Sequence, residues 1–207
     1  GSGLSWSAYD VEHAGPDGAL NRLVLRVPWP PHPEQPARAQ REHHLLTRLS
    51  DLDLPFRIPR AIEEIEVDSG IALLQSFVGG WPLDMRPSRL APAPWEVIAE
   101  LASSCHRIPS EQIRDILPGE ATWRAHALEA LRSLEDSPLP ELSQARVLLL
   151  ANLPPERPTV LLHGDLLGQN IRIDPFGSHR PGLIDWSEAQ MGDPALDLAI
   201  VTRGCLL

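Results

Sequence analysis

The residues best suited to catalysis lie in the last quarter of the chain. Asp165 and Asn170 are five residues apart in a loop, and Asp185 follows an apolar pair twenty residues after Asp165. Phosphoryl transfer from a nucleotide needs a carboxylate that orients the attacking hydroxyl and accepts its proton, and oxygen ligands for magnesium. The pattern therefore indicates phosphoryl transfer, with Asp165 as the base and Asn170 and Asp185 as Mg²⁺ ligands.

Short strands must position these side chains. The apolar run Val160–Leu162 predicts a strand, His163–Asp165 a tight turn, and Ile171–Ile173 a second strand after the loop. Asp174 and residues 175–181 predict a hairpin that leads to the strand before Asp185. The alternative is that Asp165, Asn170 and Asp185 are simply turn residues, because Asp, Asn and Gly are favoured in turns for backbone reasons.

Three segments of the chain resemble the aminoglycoside phosphotransferase family, which includes macrolide, choline and homoserine kinases. They are His163-Gly164-Asp165 with Asn170, then Ile184-Asp185-Trp186, then Gly192-Asp193-Pro194 with Asp197-Leu198-Ala199. The family shares the fold of eukaryotic protein kinases, whose catalytic loop and metal-binding Asp have a similar order. The resemblance implies an α+β, two-lobed protein-kinase-like fold. Its N-lobe, residues 1–78, has a small antiparallel sheet with one helix, and its mainly helical C-lobe, residues 79–207, carries the catalytic hairpins.

The resemblance also implies a pair of residues that holds the donor phosphates. Arg26 lies on the alternating strand 22–27, where the family places a phosphate-pairing basic residue. The proline-rich run 28–36 predicts a loop. Glu42 follows sixteen residues after Arg26 on an amphipathic helix predicted over 38–49, and it would pair with Arg26 and fix it over the phosphates. An exposed strand Arg and a solvated helix Glu are the alternatives.

The nucleotide base would lie at the hinge between the lobes. A hairpin with a turn at 67–70 leads into this segment, whose backbone groups would bind adenine; its residues are Gln75, Ser76, Phe77 and Val78. Gly1-Ser2-Gly3 fits a glycine hairpin over the phosphates and equally fits the remnant of an expression tag. Gly15-Pro16-Asp17-Gly18 predicts a turn.

Helices are predicted over 95–106, 121–134 and 141–152. His106 and His163 are interpreted as scaffold residues, since a His near a helix end or in a kinase-like loop commonly orients its neighbours. Asp193 and Asp197 would stabilise the loop and cap a helix that starts near Pro194. Direct substrate contact by Glu188 or Asp193 is an alternative.

Composition narrows the class of protein. The 207 residues are 43% apolar, which is enough for one large domain or two small lobes. A formal charge of −10 argues against nucleic acid and anionic membranes as partners. Cys105 and Cys205 show no metal-binding spacing, and the sequence has neither a membrane span nor a signal pattern. These features favour a reduced, cytoplasmic protein without structural zinc.

The sequence thus predicts an enzyme, a small-molecule kinase that uses ATP or GTP with Mg²⁺ to phosphorylate a hydroxyl. An aminoglycoside or macrolide antibiotic is one class of acceptor, and a metabolite such as choline, homoserine or a sugar is the other. A nucleotide-binding module without catalysis is the alternative from a different class. The family usually continues for several helices beyond the position of Leu207, so we expect a truncated chain, a shortened natural variant, or a substrate domain supplied elsewhere.

Overall fold

The computed structural model describes residues 6–14, 20–29, 31–85, 93–117, 123–135, 137–153, 155–174 and 180–204. The predictions for the glycines at 1–3, the turn at 15–18 and the tip of the hairpin at 175–179 lie outside these residues, as does Cys205. The remaining predicted elements can be compared directly with the fold.

A four-stranded antiparallel sheet forms the first half of the chain, in the order β1-β2-β4-β3. Its strands are β1 (Trp6–Ala14), β2 (Leu20–Pro28), β3 (Ala61–Val67) and β4 (Gly70–Ser76). Alternate residues of a strand point to opposite faces. Arg26 lies opposite Ala8 of β1 and Leu73 of β4, so it stands on a strand that is paired on both sides.

Helix α1 (Gln35–Ser50) packs beside this sheet and starts three residues before its predicted beginning at Arg38. The sequence prediction assigned Pro36 to the preceding loop. Proline suits the first turn of a helix, because its missing N–H would have had no partner there. The fully buried Leu45, Leu46 and Leu49 form the apolar face of α1.

The second half of the chain combines helices with two small sheets, ordered β5-β7-β8 and β6-β9. Its helices are α2 (Pro94–His106), α3 (Trp123–Arg132), α4 (Pro140–Ala151) and α5 (Ala195–Gly204). Its strands are β5 (Trp81–Pro82), β6 (Val160–Leu162), β7 (Ile171–Ile173), β8 (Gly182–Leu183) and β9 (Gln190–Gly192). The strands that flank the predicted catalytic loop (residues 163–170) do not pair with each other: β6 pairs with β9, and β7 pairs with β5 and β8.

One apolar cluster joins both halves. It includes Leu45 and Leu49 of α1, Leu101 of α2, and Leu161 and Ile171 beside the catalytic loop. The loop therefore rests directly on the core, and the proposed lobe boundary at residues 78 and 79 stays a prediction. Within the described ranges, no helix is both long and apolar enough to cross a membrane.

Candidate active site

A cleft of about 360 Å³ is bordered by the sheet and by the segment around Asp185. One wall of the cleft is formed by residues of β1 and β2 and by the end of β4. The other wall is formed by the predicted catalytic loop and by the residues after β8. The lining includes Trp6, Ala8, Val24, Arg26, Gln75, Ser76, Phe77, Val78, Asn170, Ile184 and Asp185. Seven of the nine site residues predicted from the sequence thus meet in one cleft, while Glu42 and Asp165 touch them from outside its lining.

Arg26 links the two walls of the cleft. Its Nη1 donates to Oε1 of Glu42, and its Nη2 donates to Oδ1 of Asp185 at 2.5 Å. Gln75 Nε2 also donates to Oε1 of Glu42, at 3.3 Å. The predicted pair of Arg26 and Glu42 is therefore present, and both residues are buried rather than solvated.

Burial and neighbouring charges shift the pKa values of Arg26, Glu42 and Asp185 in opposite directions. Burial opposes the charge on Arg26, but Glu42 and Asp185 outweigh it and raise the pKa of the guanidinium. Burial raises the pKa of Glu42 more than Arg26 lowers it. Burial would also raise the pKa of Asp185, but Arg26 and Ser187 outweigh it and lower that pKa. Two carboxyl groups thus share one cation, and Asp185 is held ionised at the cleft.

The catalytic loop brings Asp165 against Asn170. Nδ2 of Asn170 donates to Oδ2 of Asp165 at 2.7 Å and to the carbonyl of Asp165 at 3.0 Å. The backbone carbonyl of Asn170 accepts from the N–H of Ile184 at 2.9 Å, which joins the loop to the residue before Asp185. The three predicted catalytic and metal-binding residues are consequently connected by hydrogen bonds.

His163 and Asp197 hold the loop from beneath. The N–H of Asp165 donates to Nδ1 of His163 at 3.2 Å, and Nε2 of the same ring donates to the carbonyl of Ile184 at 3.1 Å. Burial lowers the pKa of His163, which keeps the ring neutral, as these two bonds require. Asp197 accepts from the backbone N–H groups of His163 and Gly164 at 3.1 and 2.8 Å and contacts Nε2 of His106 at 3.0 Å. His106 and His163 are thus scaffold residues.

Two backbone features show how closely the loop fits the segment after β8. Gly164 has a φ of +81°, and a Cβ at this position would lie 2.2 Å from the carbonyl oxygen of Glu188. Asp185 has a φ of 63°, a left-handed conformation that costs free energy in a residue other than glycine. Oγ of Ser187 donates to Oδ1 of Asp185 at 2.9 Å and helps to hold this conformation.

Part of the predicted hinge is occupied by the sheet's own hydrogen bonds. The N–H of Ser76 donates to Arg60 and that of Phe77 donates to Arg22, at 2.9 and 3.1 Å. Val78 has no backbone partner among the residues that the structure describes. Of the predicted hinge amides, that of Val78 is therefore the one best placed to receive a nucleotide base.

Three residues that contact or border the predicted site were not identified from the sequence. Trp6 lines the cleft, Ser187 binds Asp185, and Arg38 forms an ion pair with Glu188 at 2.9 Å. Alternation along β1 is the signal that could have identified Trp6, since Trp6 and Ala8 share the face of the strand that borders the cleft. The alternative role of Glu188, a direct substrate contact, competes with its pairing to Arg38. The buried Asp193 caps the N–H of Ala195 at 2.8 Å, as expected for a residue that precedes a helix.

The oxygen donors fit a magnesium ion that arrives with a phosphate. Arg26, Glu42 and Asp185 together carry one excess negative charge, and Asn170 and Asp185 both line the cleft. Among the described residues there is no group of three or more His, Cys, Asp or Glu side chains that could hold a metal alone. Mg²⁺ characteristically binds through one or two protein ligands together with waters and substrate phosphates.

Known proteins share this sequence pattern over part of their length. An aminoglycoside 3'-phosphotransferase of Streptomyces fradiae is 29% identical over 159 residues, covering 70% of this chain and 58% of the relative. The viomycin phosphotransferase of Streptomyces vinaceus is 28% identical over 174 residues, covering 76% and 59%. The chain thus spans less than two thirds of the length of these relatives.

Solved structures share the fold. The GDP complex of aminoglycoside 2'-phosphotransferase-IIIa superposes with a TM-score of 0.71 at 18% identity, covering 99% of this chain and 74% of that one. Aminoglycoside-3'-phosphotransferase of type VIII gives 0.59 at 25% identity, covering 98% and 78%. These likenesses confirm the predicted α+β, kinase-like architecture. Because a model of the phosphotransferase enzyme family also matches residues 1–205, the chain belongs to that family.

Proposed function

We propose that this chain transfers the γ-phosphoryl group of ATP or GTP to a hydroxyl of a small-molecule antibiotic. The observation that carries the proposal is the bridge from Arg26 to both Glu42 and Asp185, in a cleft that Asn170 also lines. The cleft therefore contains a fixed cation, Arg26, beside the side chains of Asn170 and Asp185. A loose, highly charged phosphoryl-transfer transition state requires such an arrangement.

Each residue has one role in this proposal. Asp165 orients the acceptor hydroxyl and takes its proton, and its hydrogen bond from Asn170 fixes the direction of its carboxylate. Asn170 and Asp185 would hold Mg²⁺, which neutralises phosphate charge when it is bound. Arg26, kept in place by Glu42, binds the donor phosphates, and the backbone near Val78 receives the base. Structural neighbours in complex with GDP or ADP support a nucleotide in this cleft.

The relatives favour an antibiotic over a metabolite as acceptor. Their names specify aminoglycosides and viomycin. The formal charge of −10 also suits a polyamine acceptor such as an aminoglycoside, because opposite charges raise the local concentration of ligand.

The proposal is tested by measuring transfer of labelled γ-phosphate from ATP and GTP. Acceptors should include several aminoglycosides, viomycin, a macrolide, choline and homoserine. We expect a phosphorylated antibiotic with the unmodified chain, and Asp165→Ala should lower turnover by about 10²- to 10⁴-fold, since general-base catalysis contributes that much. Nucleotide affinity should remain within a few-fold. Asp51→Ala, which changes an exposed residue after α1, is the matched control.

Other outcomes identify the alternatives. Nucleotide binding without any phosphorylated product would favour a non-catalytic nucleotide-binding module. Product with choline or homoserine alone would favour a metabolite kinase. Unchanged turnover in Asp165→Ala would show that Asp165 is not the base.

A further inference from the structure

Arg172 is a cation without a partner on the loop side of the cleft. It lies in the middle of β7 and belongs to the cleft lining, where Arg26 is the only other Lys or Arg among the described residues. Within the part of the chain that the structure describes, its guanidinium has no hydrogen-bond or ion-pair partner. Partial burial lowers the pKa of Arg172, and no neighbouring carboxylate offsets this effect. The cation thus loses hydration without compensation from the protein.

Strand alternation directs Arg172 into the cleft. Ile171 is fully buried in the apolar core, and Ile173 packs against the same core. Successive residues of a strand point to opposite faces, so the side chain between these two leaves the core on the cleft side. Arg172 pairs with Gly182 of β8, where a Cβ would lie 2.4 Å from Cγ1 of Val78 and 3.2 Å from Cβ of Arg172. Arg172 therefore lies beside the hinge residue that is proposed to receive the base.

The sheet wall shows which ligand group belongs at this end of the cleft. Arg26 and Val24 share one face of β2, opposite Leu73 and Gln75 of β4 respectively. Because β4 runs towards the hinge from Leu73 to Gln75, Val24 is the nearer of the two to the hinge, while Arg26 pairs with Asp185. The phosphates are thus expected at Arg26, and the base at the hinge end, between an apolar sheet wall and Arg172.

A purine at the hinge end would present the face of its ring to Arg172. The amide of Val78 is placed to bind the edge of a base, so the two walls of the cleft are left to cover its two faces. A guanidinium is planar and more weakly hydrated than an ammonium, and it stacks on aromatic rings. A base stacked on Arg172 would therefore compensate the cation for the hydration that it has lost.

We propose that the guanidinium of Arg172 stacks on the face of the purine base of the bound nucleotide. This inference rests on the proposed function, because it needs a nucleotide in the cleft. It assigns the two arginines of the cleft to different parts of the donor, Arg26 to the phosphates and Arg172 to the base. Since every purine has a π face, the contact should serve ATP and GTP alike.

Arg172→Leu tests the proposal, because it keeps an apolar stem and removes the planar cation. Calorimetric titrations with ATP, GTP and inorganic tripolyphosphate, each with Mg²⁺, separate the base from the phosphates. We expect Arg172→Leu to bind ATP and GTP about 3- to 10-fold more weakly and tripolyphosphate unchanged. Arg157→Leu, at an exposed arginine in the loop before β6, is the matched control and should change none of the three.

A second measurement leaves the chain unaltered. In protein labelled with ¹⁵N-arginine, the Nε–H resonance that is missing in Arg172→Leu identifies Arg172. A proton over the face of a purine is shielded by the ring current, so ATP should move this resonance upfield, whereas tripolyphosphate should not. A downfield shift with ATP would indicate a hydrogen bond to phosphate and would overturn the inference.

The outcomes distinguish this inference from the function on which it rests. If the unmodified chain binds neither ATP nor GTP, the proposed nucleotide site is wrong and the inference falls with it. If it binds them and Arg172→Leu binds them equally well, only the inference is overturned. A matching loss of affinity for tripolyphosphate would assign Arg172 to the phosphates, and a loss for GTP alone would assign it to the edge of the base. Either result would also overturn the inference.

Discussion

The two walls of the candidate active-site cleft are held in place by different interactions. On the loop side, Asp197 and His163 bond to backbone N–H and carbonyl groups, and both side chains are fully buried. On the sheet side, Arg26 is held by two carboxylates, and one of them, Asp185, is about one third exposed at its side chain. The loop side is thus held by hydrogen bonds to backbone groups, which must be satisfied in the folded chain. The sheet side is held by ion pairs, for which a charged ligand can compete.

This difference separates stability from ligand binding. Removing an acceptor from the loop leaves buried N–H groups unpaired and should be felt mainly as a loss of folding free energy. Substitution of Arg26 on the sheet side should mainly change the affinity for nucleotide and the salt dependence of that affinity, because the phosphates and the two carboxylates bind the same guanidinium. Three mutational experiments test this contrast, in order of decreasing expected effect.

The largest effect should come from Asp197→Ala. Two backbone N–H groups of the catalytic loop and the ring of His106 would lose their shared acceptor in the interior. We expect the free energy of unfolding to fall by about 3–5 kcal/mol, measured by urea denaturation. Asp193→Ala, which removes only the cap on Ala195, is the control and should cost about 1 kcal/mol. Equal losses in the two variants would show that Asp197 has no special role in holding the loop.

A smaller effect on folding, but a clear one on binding, should follow Arg26→Lys. A lysine has no planar fork, so it cannot reproduce two separately directed bonds to Glu42 and Asp185. We expect nucleotide affinity to fall about 3- to 10-fold, while the free energy of unfolding changes by only ~1 kcal/mol. Arg132→Lys is the control away from the cleft, where an exposed Arg of α3 pairs with Glu129. A loss of affinity that is the same in both variants would contradict the role given to Arg26.

The smallest effect should come from the ion pair between Arg38 and Glu188. It joins α1 to the segment after Asp185, but the side chains are 24% and 44% exposed. A double-mutant cycle with alanines should therefore give a coupling free energy of about 0.2–1 kcal/mol that decreases with added salt. The cycle of Arg38 with Glu34, its second partner at 3.4 Å, is the comparison. A coupling free energy above ~2 kcal/mol between Arg38 and Glu188 would show that this exposed ion pair contributes substantially to stability, contrary to the expectation.

The elements of the fold were largely predictable, because they depend on local patterns. Alternation along β2 indicated a strand and the Val67–Gly70 turn indicated a hairpin, and both were confirmed. The family's ordered motifs indicated the kinase-like architecture. The start of α1 was wrong by three residues because Pro36 was interpreted as a loop residue instead of a first-turn residue.

The arrangement of the site was less predictable, because it depends on contacts between distant parts of the chain. Arg26 and Asp185 are separated by 159 positions, and no local pattern states that one guanidinium serves two carboxylates. No local pattern predicted the left-handed backbone of Asp185, the residue that Arg26 reaches from the sheet. The sequence thus indicated which residues belong to the site, but not how their charges and hydrogen bonds are shared.

The close approach of Gly164 to the carbonyl oxygen of Glu188 also limits how this protein can evolve. Any side chain at position 164 would displace the segment that carries Asp185, whatever substrate is under selection. For the proposed phosphoryl transfer, mutations that broaden the range of acceptors must therefore arise elsewhere. The exposed part of Glu188 is one such position, since its side chain can vary while its backbone stays in place. Selection for new substrates would leave the glycine unchanged and diversify its neighbours.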